Sequence, residues 1–201
     1  MGRLAVLISG RGSNLQALID AIAAGKLDAE IVTVISDRSD ALGLDRARRA
    51  GIPTQVLPWL GEARRDEYFQ NLQMILEEAD VELVVLAGFM RLLPKELVRA
   101  FPQRIINIHP SLLPAFPGLN AQRQALDYGV KIAGCTVHFV DEGMDSGPII
   151  VQKAVPVYDY DTEESLAERI LAKEHEALPQ AVALVLSKQW QIRGRKVVCK
   201  C

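Results

Sequence analysis

The chain has 201 residues, with 23 Lys and Arg against 25 Asp and Glu for a formal net charge of −2; 49% of it is hydrophobic and 24% charged. Those proportions suit a globular protein and exclude a disordered chain, a collagen and a disulfide-stapled miniprotein. The near-neutral balance attracts neither nucleic acid nor an anionic membrane surface, while leaving room for a local basic pocket that takes a small phosphate.

The odd set of cysteines, Cys135, Cys199 and Cys201, reads as reduced thiols in a cytoplasmic protein, with the Cys199-Lys200-Cys201 tail inert. The first apolar run, Leu4–Ile8, is too short for a signal-peptide core or a membrane span. Met1-Gly2 lacks the Ser or Thr that myristoylation wants at position 6, which is Val6.

In chain order, Leu4–Ile8, Ile31–Ile35 and Leu83–Ala87 are nearly continuous apolar runs rich in β-branched residues, the pattern of parallel strands buried on both faces. Helical spacing falls between them, at Leu15–Ala24, Ala41–Ala50 and Arg65–Glu78. Gly25 and Gly51 stand where a helix C-terminus wants a left-handed residue, and Asp40 is placed to cap the second helix. Arg104–Ile108 follows as a strand, Ala121–Tyr128 as a short helix, and Lys131–Val140 and Ile149–Val157 as longer strands. Thr162–His175 and Pro179–Ser187 read as helices, and Arg193-Gly194-Arg195 as a hairpin turn in the tail. With no repeat, linker or low-complexity tract, the alternation predicts one α/β domain over 1–201. It would be Rossmann-like, with a mostly parallel sheet flanked by helices on both faces.

The first strand runs into Ser9-Gly10-Arg11-Gly12-Ser13-Asn14 and then a helix. Glycines allow a tight turn and close ligand approach, and helix-start N–H groups favour an anion. Ser13 and Asn14 add polar donors, so the loop reads as a phosphate cradle; the same residues would also serve a plain capped turn. Leu15 at the third glycine position rules out the dinucleotide fingerprint, and no Gly-Lys-Ser/Thr completes a Walker loop. Asp37, near where a ribose-binding acid would sit, reads as a turn or capping residue.

In Ile106-Asn107-Ile108-His109-Pro110 the polar side chains share one strand face and the isoleucines the other. Pro110 ends pairing there, placing Asn107 and His109 at the carboxyl edge, where parallel sheets bind ligands. The acidic loop Asp141–Pro148 earns a role only if Asp145 reaches His109. His138, within a strand, and His175, on a helix, read as structural. No cluster has zinc-ligand spacing and no cysteine sits in a nucleophile context, so no metal is expected.

At Val6–Ala17, Val84–Arg91, Asn107–Pro114 and Val137–Pro148 the sequence resembles the glycinamide ribonucleotide transformylases, within the folate formyltransferase superfamily, over nearly its whole length. The Asn-x-His-Pro-Ser-Leu-Leu-Pro run and the later Asp mark the superfamily, and the Gly-Ser-Asn loop narrows it. The resemblance implies formyl transfer from 10-formyltetrahydrofolate, as co-substrate, to glycinamide ribonucleotide in purine biosynthesis, by a monomer or homodimer. Gly12, Ser13 and Asn14 would hold the ribonucleotide phosphate and Glu174 its glycinamide end. Arg65 would meet the folate glutamate tail, with Met90, Arg91, Leu92 and Leu93 lining the pteridine pocket and the backbone of residues 141 to 145, from Asp141, closing over it. Asn107, also counted among the folate contacts, His109 and Asp145 would be catalytic, and Leu113-Pro114 would be cis. The N-terminal part would thus bind the ribonucleotide phosphate and the C-terminal part complete the folate pocket. Where the family pattern often has His after Pro-Gly-Leu, this chain has Asn120.

Amine attack on the formyl carbon develops charge on the formyl oxygen, and a neutral amide with a protonated imidazole suits that oxyanion. A carboxylate beside the imidazole favours the protonated form and can move the amine's proton. Two other readings stand beside this one. The first is hydrolysis of formyltetrahydrofolate or formyl transfer to another amine; the second is a non-catalytic nucleotide-binding module.

Overall fold

The computed structural model describes residues 1–200, so the Cys201 half of the tail pair lies outside the described residues. The fold is α/β and divides into two compact units, Met1–Ile106 and Asn107–Cys201.

The first unit is built on parallel strands β1 (Gly2–Ile8), β2 (Ala29–Ser36), β3 (Thr54–Val56) and β4 (Leu83–Leu86), in the order β3-β2-β1-β4. Leu4 through Ile8 are wholly inaccessible, which explains why β1 reads as an unbroken apolar run: it has no solvent face on which to alternate. Helices α1 (Ser13–Ala23), α2 (Leu42–Arg49), α3 (Arg65–Glu78) and α4 (Lys95–Ala100) return the chain between strands. Leu15 and Leu18 of α1, Leu44 of α2, and Leu72 and Leu76 of α3 are all buried. Gly25 and Gly51 adopt the left-handed conformation expected of them, with φ of +66° and +70°.

The second unit begins within strand β5 (Ile105–His109), followed by α5 (Ala121–Tyr128), β6 (Ile132–Phe139) and β7 (Ile149–Pro156). The helix α6 (Glu163–Ser187) and a terminal hairpin, β8 (Trp190–Arg193) and β9 (Lys196–Cys199), complete it. Here β6 and β7 run antiparallel, β9 joins β7 in parallel, and β8 pairs antiparallel with β9. Helix α6 packs on β6 and β7 through Leu166, Ile170, Ala177, Leu178, Ala181 and Val182, all fully buried.

Three local expectations change. Asp40 does not cap α2; it forms a bidentate pair with Arg38, and Ala41 precedes the helix without a side-chain cap. The two helical stretches around Pro179 are one continuous helix, α6. At its start Thr162 and Ser165 exchange side-chain-to-backbone hydrogen bonds in a capping box. Strand β3 and helix α4 carried no distinct sequence signal, being short and flanked by prolines.

Candidate active site

Each unit presents a cluster of the residues singled out from the sequence. In the first unit, β1 delivers the chain to the loop Ser9–Gly12, and α1 begins at Ser13. Gly12 takes φ +68°, open to glycine at no steric cost, and a Cβ there would lie 2.5 Å from the Gly43 Cα of α2. The loop is pinned from α2: the Gly43 amide donates to the Gly10 carbonyl at 3.0 Å, and Arg46 Nε donates to the Arg11 carbonyl at 2.9 Å. The residue before α1, Gly12, has no side chain to cap the helix, and helical hydrogen bonding starts with the Gln16 amide donating to the Gly12 carbonyl at 2.9 Å. A helix start with its dipole exposed beside a glycine loop suits an anion.

The same unit ties this loop to the Met90–Leu93 segment. Ser9 Oγ accepts from the Met90 amide at 2.9 Å, while Met90 and Leu92 stay largely exposed, and Arg91 and Leu93 half-buried. Arg65 at the start of α3 is half-buried, stacked 5.2 Å over the Phe69 ring, with a long 3.4 Å reach to the Leu92 carbonyl. Asp37, read from sequence as a turn or capping residue, is instead buried at the end of β2. Its Oδ2 accepts from Arg91 Nε at 2.7 Å, and the guanidinium lies 4.8 Å over the Trp59 ring.

In the second unit β5 presents Asn107 half-buried and His109 buried, while the acidic loop returns Asp145 to them. His109 Nδ1 lies 3.4 Å from Asp145 Oδ2, and the Asn107 amide donates to Asp145 Oδ1 at 3.5 Å. His109 Nε2 sits 2.9 Å from the Phe116 carbonyl, which only accepts, so that nitrogen carries a proton. With oxygen acceptors facing both ring nitrogens, the site has a use for a proton on each. The Gly118 amide donates to Asp145 Oδ2 at 2.8 Å.

Burial alone would raise the Asp145 carboxyl. Hydrogen bonding from His138 and Gly118, together with the His109 and His138 charges, outweighs it and holds the group below the usual carboxylate range. His138, read from sequence as structural, belongs to this cluster. Its Nε2 is 3.3 Å from the Asn107 amide nitrogen and 3.6 Å from Asp145 Oδ1, and its Nδ1–H donates to the Phe139 carbonyl at 2.9 Å. Its one sequence cue, a place near the end of the strand that leads into the acidic loop, names no partner.

Other residues fall elsewhere. Asp141 turns into its own loop, accepting from Ser146 Oγ at 2.6 Å and the Gly143 amide at 3.1 Å. Glu174 is buried on α6, and its charge adds to the burial that pushes the Cys135 thiol up to about 12, leaving that cysteine unreactive. Asn120 takes φ +56° as the residue before α5, a conformation asparagine tolerates well. Leu113-Pro114 is cis. Among the described residues no group of His, Cys, Asp and Glu could hold a metal ion, and no helix is long and apolar enough to cross a membrane.

Residues 2–182 match the formyl transferase family model. The chain is 44% identical over 192 residues to phosphoribosylglycinamide formyltransferase of Escherichia coli, covering 96% of this chain and 88% of that protein. It is 55% identical over 187 residues to the trifunctional purine biosynthetic protein adenosine-3 of Drosophila pseudoobscura, covering 92% of this chain but only 14% of that longer protein. The crystal structure of glycinamide ribonucleotide transformylase 1 from Symbiobacterium toebii superposes with a TM-score of 0.96 at 52% identity, covering 99% of this chain and 94% of that one.

Proposed function

The chain belongs to the formyl transferase family, and we propose that it transfers the formyl group of 10-formyltetrahydrofolate to the amine of glycinamide ribonucleotide, as a step of purine biosynthesis. The observation that carries this reading is the cluster of Asn107, His109 and Asp145, in which an amide donor and a proton-bearing imidazole stand against one depressed carboxyl. Attack by the amine puts negative charge on the formyl oxygen. Asn107 and His109 stabilise that oxygen, and Asp145, 3.4 Å from His109 Nδ1, orients the imidazole and takes up the amine's proton on its way to N10 of the folate. The Asn107 contacts are long for hydrogen bonds, so its amide protons are easily turned to substrate. His109 must release or share the Phe116 carbonyl to reach the formyl oxygen.

Substrate binding follows the residues already described. Gly12, Ser13 and Asn14 receive the ribonucleotide phosphate at the start of α1 and Glu174 its glycinamide end. Arg65, Met90, Arg91, Leu92 and Leu93 take the folate, and the backbone from Asp141 to Asp145 covers the pteridine. In this reading the 201 residues act as one cytoplasmic formyltransferase domain, needing small-molecule substrates and no metal.

The test is tetrahydrofolate release from 10-formyltetrahydrofolate with and without glycinamide ribonucleotide. Release that requires the ribonucleotide supports the reading. Equal release in its absence makes the chain a hydrolase, and no release in either case makes it a binding module.

A further inference from the structure

The loop that carries Asp145 is held from a direction that the family match does not include. The matched region ends at residue 182, and the terminal hairpin of β8 and β9 lies beyond it. Yet that hairpin grips the loop on both sides. Before the loop, the Phe139 ring at the end of β6 packs on Trp190 with ring centroids 4.8 Å apart, and Trp190 Nε1 donates to the α6 carbonyl of Val185 at 2.9 Å. After the loop, Ile149 pairs with Lys196, and the Arg195 guanidinium donates to the Ser146 carbonyl. Ser146 immediately follows Asp145.

We propose that the hairpin, through Arg195, is a positioning element for the Asp145 loop, and that formyl transfer depends on it. The proposal rests on the role given above to Asp145. Three features explain why the loop needs an external hold. Asp145 itself adopts φ +49°, a left-handed conformation that few side chains other than Asn and Asp take up readily. Gly147 folds so tightly onto β6 that an added Cβ would lie 1.7 Å from the Phe139 carbonyl oxygen. The ties of Asp141, Gly143 and Ser146 other than Arg195 are made within the loop, and those from Gly118, Asn107 and the histidines reach only the Asp145 side chain, so the backbone after Asp145 is anchored from the hairpin. A guanidinium donating to a carbonyl is a charge-assisted bond from a rigid donor, suited to fixing one peptide group in place. Arg195 is exposed, so removing it opens no cavity and leaves the rest of the unit packed.

The experiment compares the full chain with Arg195→Ala and Arg195→Lys. Hydrogen exchange of the unliganded protein reads the brace directly, and steady-state formyl transfer reads its consequence. Arg195→Ala is expected to speed exchange of amides 141–147 and lower kcat roughly tenfold, since ångström-scale misplacement of a catalytic group costs up to about a hundredfold. The ribonucleotide KM should stay within about twofold of wild type, because the phosphate loop belongs to the other unit and makes only uniform binding contacts. Arg195→Lys, which keeps a charged donor, should recover most of both losses. Unchanged exchange in Arg195→Ala overturns the brace, and faster exchange with undiminished kcat overturns its role in catalysis. A lysine variant no better than alanine also overturns the proposal. Wild-type protein without formyl transfer would instead refute the proposed function, and the exchange experiment would still decide whether the hairpin holds the loop.

Discussion

In the proposed reaction His109 and Ser13 would serve in two different ways, which separate kinetically. A donor to the phosphate acts equally in ground and transition states, because the phosphate does not change during transfer. Ser13→Ala combined with Asn14→Ala should therefore raise the ribonucleotide KM and leave kcat and the folate KM nearly unchanged, measured by initial rates with each substrate varied. Loss of folate affinity instead would assign the loop to the other substrate. At this scale the sequence was most legible where a motif holds its chemistry locally. Asn107 and His109 alternate with isoleucines on one strand, and the pairing of polar face with strand end could be read directly. Asp37 and His138 were not legible as site neighbours. Asp37 follows β2 and meets Arg91 from 54 residues away, while His138 meets Asp145 only because the acidic loop folds back onto the strand it leaves. Spacing along one element carries no record of such pairs.

At the scale of elements, the acidic loop shows how much depends on a glycine with no room for a side chain. The Phe139 amide donates to the Pro148 carbonyl at 2.9 Å, and Gly147 lies against the Phe139 carbonyl in the same fold-back. Gly147→Ala must displace that backbone, so it should cost more than about 1 kcal/mol of stability and depress kcat together. Thermal melts with parallel rate measurements check both; an alanine variant with native melting and native kcat would show that the loop shifts freely. The long elements were legible because their periodicity is strong: α3 and α5 occupy the residues their spacing marks, and the buried strands read as apolar runs. What escaped was set by contacts outside the local pattern. Asp40 prefers Arg38 to the α2 amides, and Pro179 is tolerated within α6, a helix that the buried faces of β6 and β7 hold in place. The terminal hairpin was legible from its turn, with Gly194 at φ +62°, but its grip on the Asp145 loop was not.

At the scale of the whole molecule, a second depressed carboxyl besides Asp145 bears on acid stability. Arg169 beside Asp161 holds that carboxyl far below its ordinary value of 3.8, with the Tyr158 amide and Ser165 hydroxyl adding hydrogen bonds. A carboxyl lower in the folded than in the unfolded chain stabilises above the unfolded value, and the contribution fades as pH falls through the folded one. Asp161→Asn should therefore destabilise the protein near pH 7, with the gap to wild type narrowing below about pH 4. Urea titrations at both ends of that range decide it, and a gap independent of pH would show that the charge plays no part. The division of the chain inside β5 left no compositional mark, since Ile105 and Ile106 on one side and Ile108 on the other are equally buried. The central claim concerns the group that begins at that point, and a double-mutant cycle tests it most directly: single-turnover formyl transfer by wild type, His109→Ala, Asp145→Asn and the double variant. If His109 acts on the formyl oxygen and Asp145 acts through it, each single change should lower the rate by about 10²–10³, and the double variant should be no slower than the slower single. Losses that multiply in the double variant, or a rate that survives His109→Ala, would contradict the account.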